Sequence, residues 1–159
     1  MGVIQEGADI ARLIISIPGE PVAQARPRIA VVAGRPRAYD PKTSRDWKAT
    51  AQQHARDQMA RAGAAMFTGP VCVSISFVFT RPQTTYRKRK PRGREPKTTK
   101  PDADNLAKAV LDALNGVAWI DDRQVYELHM VKLVGAQGEA PMTGVEVRPY
   151  EGATDEAAR

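Results

Sequence analysis

Between Lys100 and Val125 the chain reads KPDADNLAKAVLDALNGVAWIDDRQV, which sets five aspartates and Lys108 around one short helix. Asp102 and Asp104 are two residues apart, so on extended backbone their side chains share a face. Asp104, Lys108 and Asp112 recur every four residues and line one side of a helix. Asp121 and Asp122 return after the helix ends. Carboxylate oxygens are hard ligands that suit Mg2+ or Mn2+, and an Asp-x-Asp pair with a distant third carboxylate can hold one or two such ions against a phosphate. The expected chemistry is phosphodiester hydrolysis. A metal held by Asp102, Asp104 and one of the Asp121-Asp122 pair would activate a water and stabilise the leaving oxygen, with Lys108 beside it to neutralise the pentacovalent phosphate or help protonate the leaving group. Neighbours on a strand face opposite sides, so the spacing does not choose between Asp121 and Asp122.

Each residue also has a plain structural reading: Asp104 as a helix N-cap, Lys108 and Asp112 as a solvated face with i,i+4 pairing, Asp121-Asp122 as a polar turn. The elements that must position them follow from the pattern. Arg12 to Ile17 reads as a strand ending at Pro18-Gly19, and Ile29–Val32 with Arg37–Tyr39 reads as a hairpin turning at Ala33-Gly34-Arg35. Asp40-Pro41 starts a helix as N-cap and first helical residue; it runs to about Arg61, stops at Gly63, and carries Trp47, Ala51, Ala55 and Met59 on one stripe. Val71 to Phe79 alternates, with Val71, Val73, Ile75, Phe77 and Phe79 on one face and Cys72, Ser74 and Ser76 on the other, the pattern of a half-buried strand. In the acidic helix Leu106, Ala109, Val110, Ala113 and Leu114 form the buried stripe, Asp104, Lys108 and Asp112 stay on the outer flank, and Gly116 is the stop. Val125–Val134 and Val145–Tyr150 complete the strands. Residues 1–11 and 151–159 read as flexible tails around one domain, 12–150.

The run Asp102-Ala103-Asp104-Asn105-Leu106-x-Lys108-Ala109, then Asp112-Ala113-Leu114-Asn115-Gly116 and Trp119-Ile120-Asp121-Asp122-x-Gln124-Val125, resembles the RusA family of Holliday-junction resolvases. Ile17-Pro18-Gly19-x-Pro21-Val22 followed by Arg26-Pro27-Arg28 is similar to the opening strand and basic loop of its phage-type members. The resemblance covers about residues 12 to 150. It implies an α+β fold, a mixed central sheet flanked by two main helices, and Mg2+-dependent cleavage of four-way DNA junctions by a homodimer serving recombination and repair. Asp102, Asp104 and Asp122 match the family's metal-binding aspartates and Lys108 its catalytic lysine, with Asn105 and Asp112 as orienting neighbours. The chain departs from the pattern at Ala23-Gln24-Ala25, where relatives often carry a lysine and a glycine, which weakens or moves a DNA contact there.

The charge balance points to the same partner. Lys and Arg exceed Asp and Glu by six over 159 residues, which favours a polyanion, and 42% hydrophobic content is enough for one core. The segment 80–101 is the most basic part. Arg81, Arg87, Lys88, Arg89, Lys90, Arg92, Arg94, Lys97 and Lys100 face a lone acid, Glu95, so the segment is expected to repel itself and to be mobile without DNA. It feeds into Asp102 and would bring phosphate-binding charge to the metals, whereas its plain reading is a solvated linker. Arg26, Arg28, Arg35 and Arg37 make a second basic surface, so the expected DNA contacts are these four with Arg87, Lys88, Arg89, Lys90, Arg92 and Lys100. The single cysteine, Cys72, reads as a small core residue in a reducing compartment, and His54 and His129 as surface or sheet-face residues rather than ligands. No leader or membrane span is evident, so the expected location is the cytoplasm of a bacterial or phage-infected cell, with no membrane partner and no small-molecule cofactor. Two other readings stay open: a basic nucleic-acid-binding module without cleavage, and a metal-dependent nuclease without junction selectivity. For a homodimer, Val71–Phe79 and the apolar side of Val125–Val134 are the candidate interfaces.

Overall fold

The computed structural model describes residues 12–26, 28–39 and 41–152. The expectations for residues 1–11, Pro27, Asp40 and 153–159 fall outside them. The chain forms β1 (Leu13–Pro18), β2 (Arg28–Val32), β3 (Arg35–Tyr39), α1 (Lys42–Ala62), β4 (Val71–Phe79), β5 (Glu95–Pro96), α2 (Ala103–Leu114), β6 (Val125–Val134) and β7 (Met142–Pro149). Five strands make a mixed sheet in the order β1-β7-β4-β6-β5, and β2-β3 form a separate hairpin. Only β4 and β6 run parallel; β1-β7, β4-β7 and β5-β6 are antiparallel. The architecture is a single α+β domain.

Both helices lie on one face of this sheet. Trp47, Ala51, Ala55 and Met59 of α1 and Leu106, Ala109, Val110, Ala113 and Leu114 of α2 join Ile15, Ile17, Val73, Ile75, Phe77, Val145 and Val147 in one core. The two helical stripes recur at i+3 and i+4, which turns one side of each helix into an apolar ridge against the pleated face. The opposite sheet face is left without a helical layer. There Ile14 and Val131 are exposed around the half-buried Ser74 and Ser76.

Two element boundaries show how local residues decide the path. α1 begins at Lys42 with Pro41 at the cap position, one residue later than Pro41's expected place inside the helix, because Pro41 keeps an extended ψ of 148° while its carbonyl accepts from Arg45. It stops at Gly63, which takes φ 63°, and Ala64 N–H returns to Met59 C=O, a closure that needs a residue tolerant of the left-handed region. β4 occupies the expected residues but is more buried than a half-buried strand. It is central, between β7 and β6, so Cys72 and Val78 on its second face are covered too. As an interface candidate, β4 therefore has no free edge.

The basic segment is tied down rather than mobile. Arg81 is buried, donating through Nε to Gly135 C=O at 2.9 Å and through Nη2 to Gly93 C=O at 2.8 Å, with Glu95 3.2 Å from Nη1. Arg92 bonds Glu95, and Arg94 bonds Glu139. Gln137 clasps both ends of the basic tip: its Oε1 accepts from Arg87 N–H and Arg92 N–H, each at 2.8 Å. The like charges are thus divided. Arg81, Arg92 and Arg94 are spent internally on two glutamates and on carbonyls, and Arg87, Lys88, Arg89 and Lys90 project from an anchored loop. Burial works against the charge of Glu95, yet the hydrogen bonds from Arg92 and Arg81 hold its carboxyl below the usual range.

Candidate functional site

The acidic stretch is organised by α2. Asp102 sits at the N-cap position with extended backbone, but its carboxylate makes no capping hydrogen bond, and Asp104 lies in the first turn. Both are exposed. The N-terminal helix end bears partial positive charge, which favours two carboxylates there. Two contacts fix this end. Gln24 N–H donates to Asn105 C=O at 2.8 Å, and Lys132 Nζ of β6 donates to the carbonyls of Thr99 and Pro101. Gln24 belongs to the Ala23-Gln24-Ala25 segment that departs from the family pattern, so that segment acts here as a strap over the first turn of α2.

Lys108 is exposed on the outer flank, and its ammonium lies 3.7 Å from Asp112. Asp112 is also 3.6 Å from Lys48 of α1, whose side chain is mostly buried. Asp112 therefore links the helices and holds Lys108 along the same flank as Asp104. Asn105 is half-buried, and its backbone carbonyl is the acceptor of the Gln24 strap.

Asp121 and Asp122 have different partners. Asp121 caps a 3-10 turn, Asp122–Gln124: its Oδ1 accepts from Arg123 N–H and from Arg123 Nε, both at 2.9 Å, while Gln124 Oε1 accepts from Asp121 N–H. The Arg123 side chain and backbone N–H hold the Asp121 carboxyl below its ordinary range. Asp122 Oδ1 instead accepts from Nε1 of Trp119 at 2.8 Å, and Trp119 is fully buried. One oxygen of Asp122 is thus aimed by a core residue. Its turn follows the C-terminal end of α2, where Gly116 N–H bonds Trp119 C=O, whereas Asp102 stands at the other end of a helix about 18 Å long. Asp102, Asp104 and Asp122 are consequently not gathered as three donors within 4.8 Å of one another. Among the described residues the one such group is Cys72, Glu127 and His129, on the open side of the sheet. Sequence spacing missed that group, because only the pairing of β4 with β6 brings Cys72 to the other two.

The expected DNA-contacting residues divide into three places. Arg87, Lys88, Arg89 and Lys90 are exposed on the clasped tip, and Lys100 is exposed just before Asp102. Arg92 is half-buried and engaged with Glu95, which makes it a structural cation of the loop. Arg26, Arg28, Arg35 and Arg37 are exposed on or beside the β2-β3 hairpin. In the hairpin register Arg28 faces Tyr39, Ala30 faces Arg37 and Val32 faces Arg35, while Ile29 faces Ala38 and Val31 faces Pro36. Alternation therefore gives the ribbon one basic face and one apolar face. Ile29 and Val31 are 75% and 72% exposed.

Residues 18–148 match the family described as Endodeoxyribonuclease RusA. A relative, "Uncharacterized protein YqaN" of Bacillus subtilis (strain 168), is 34% identical over 139 residues, covering 82% of this chain and 91% of the relative. With the match covering both helices, strands β4, β5 and β6, the basic loop and the acidic stretch, the chain belongs to the RusA family of endodeoxyribonucleases.

Proposed function

We propose that the protein is a divalent-metal-dependent endodeoxyribonuclease that resolves four-way DNA junctions by paired nicks, acting as a homodimer. The observation that carries this reading is the first turn of α2. Asp102 and Asp104 are exposed there without a capping role, with Lys108 one turn on and cationic segments on either side, in a chain of a nuclease family.

The donor set fits Mg2+ or Mn2+. Mg2+ is commonly anchored by only one or two carboxylates and completes its shell with waters and substrate phosphate oxygens, so Asp102 and Asp104 suffice as its anchors. When bound, the ion supplies an activated water and charge stabilisation at the scissile phosphate. Asp122, aimed by Trp119, is preferred to Asp121, which Arg123 occupies, as a further acid of the cleavage reaction, although it stands at the other end of α2 and does not share an ion with Asp102 and Asp104 within one chain. Lys108, steadied by Asp112, offers positive charge to the phosphoryl oxygens and a proton to the leaving oxygen. Arg87, Lys88, Arg89, Lys90 and Lys100 bind backbone phosphates beside this site. Arg26, Arg28, Arg35 and Arg37 hold a further arm of the junction.

Symmetric resolution needs two nicks on opposed strands. Each chain carries one such acidic stretch, and a two-fold pair of chains is the simplest way to supply two. The test is cleavage of a labelled four-way junction beside matched duplex, with Mg2+ and with chelator. Metal-dependent paired nicks on the junction alone support the proposal. Equal cutting of both substrates points to an unselective nuclease, and binding without cutting in Mg2+ or Mn2+ points to a DNA-binding module.

A further inference from the structure

On the sheet face away from the helices, three side chains of different chemistry meet where β4 and β6 begin. The register slips between Val71 and Cys72: Val71 pairs with Val125, but Cys72 pairs with Glu127, leaving Tyr126 as the extra residue of a bulge. Side chains alternate along a strand, so without the slip Glu127 and His129 would fall on the side opposite Cys72. With it, the thiol, the carboxylate and the imidazole come together. One donor atom from each lies within 4.8 Å of the others, and His129 Nε2 is 2.5 Å from Glu127 Oε1.

We propose that Cys72, Glu127 and His129 form a binding site for a borderline transition-metal cation, Zn2+ by ligand chemistry, separate from the nuclease acids. Zn2+ takes thiolate, imidazole and carboxylate ligands in a tetrahedron, and at ordinary bond lengths these ligand atoms stand roughly 3.3 to 3.7 Å apart. Small side-chain rotations close the present arrangement to that size. Binding transfers the Cys72 thiol proton to solvent and replaces the Glu127–His129 contact by two bonds to the metal. Mg2+ and Ca2+ are poor competitors, since they prefer all-oxygen shells.

The surroundings suit such an ion. Cys72 is buried, so its sulfur is placed by the strand, while Glu127 and His129 are exposed and held mainly by their contact with each other. Arg148 Nη2 lies 3.5 Å from Sγ and offsets part of the charge that a thiolate ligand carries. Cys72 and Glu127 open onto a cavity of about 360 Å³ that Tyr126 and Tyr150 also line, which leaves room for a water as fourth ligand. The consequence is a clamp between β4 and β6.

The experiment uses the full-length protein with Co2+ alone, then Zn2+ alone. Co2+ should produce a thiolate-to-metal charge-transfer band with the strong visible bands of a four-coordinate ion, and Zn2+ should displace it. Cys72→Ser should abolish the charge-transfer band, His129→Ala should weaken Zn2+ binding about tenfold or more, and Asp102→Asn should leave both unchanged. His129 is exposed, so its variant tests the site even where Cys72→Ser perturbs folding. Absence of a thiolate band at saturating Co2+, a band that survives Cys72→Ser, or loss of it in Asp102→Asn would overturn the assignment.

Discussion

At the residue scale, the two adjacent aspartates separate by their partners. Asp122 takes a hydrogen bond from buried Trp119, and Asp121 is committed to Arg123 and the cap of its turn. Asp122→Asn is therefore expected to lower the cleavage rate by a factor of about a hundred or more, and Asp121→Asn by less than about tenfold, which single-turnover nicking of a junction measures. Trp119→Phe keeps most of the packing but removes the donor. It should cost about 1–3 kcal/mol of stability and slow cleavage together, since Asp122 loses its orienting bond. The placement of Asp102, Asp104, Lys108 and Asp112 along α2 was legible in the sequence because Asp-x-Asp and i,i+4 spacings are local. The different partners of Asp121 and Asp122 were not, because they depend on an indole whose direction the core sets. Cys72, Glu127 and His129 were illegible for a related reason: a one-residue bulge decides which side of the sheet each occupies.

At the scale of elements, α1, β4 and α2 could be read almost to the residue. Gly63 marks the stop of α1, and alternation marks the nine residues of β4. The basic segment could not. Composition alone treats its cations as mutually repelling, whereas Arg81 is buried among carbonyls and Glu95, and Gln137 clasps the tip from 45 and 50 residues away. Replacing Arg87, Lys88, Arg89 and Lys90 with Ser should weaken binding to every DNA form and flatten the slope of log affinity against log salt, with melting unchanged. Gln137→Ala should leave the slope nearly intact but reduce affinity, because the same charges are no longer held together; filter binding across a salt series separates the two effects. The loop also has a pH signature. Glu95 has a folded pKa below its ordinary 4.5, so its contribution is complete above that value and is lost as pH falls through the lower folded one. Glu95→Gln should accordingly blunt the acid-side loss of loop protection in hydrogen exchange, with no difference from wild type in sensitivity at neutral pH.

At the scale of the whole molecule, the helices cover one sheet face and leave the other to Ile14, Ser74, Ser76, His129 and Val131, while the β2-β3 ribbon carries an apolar face of Ile29 and Val31. Exposed apolar surfaces of this kind suit pairing of chains. Light scattering at micromolar concentration should give about twice the monomer mass, and mixed dimers of wild type with Asp104→Asn should nick one strand of a junction only. Asp102 and Asp104 are expected to anchor a metal for hydrolysis rather than to shape the helix. The direct measurement compares wild type, Asp102→Asn and Asp104→Asn for junction binding by gel shift and junction cleavage in Mg2+ on the same preparations. Both variants should bind as tightly as wild type or more tightly, since a negative charge near phosphate is gone, and should show no cleavage. Cleavage by either variant at near the wild-type rate would show that these two aspartates are not the metal's anchors.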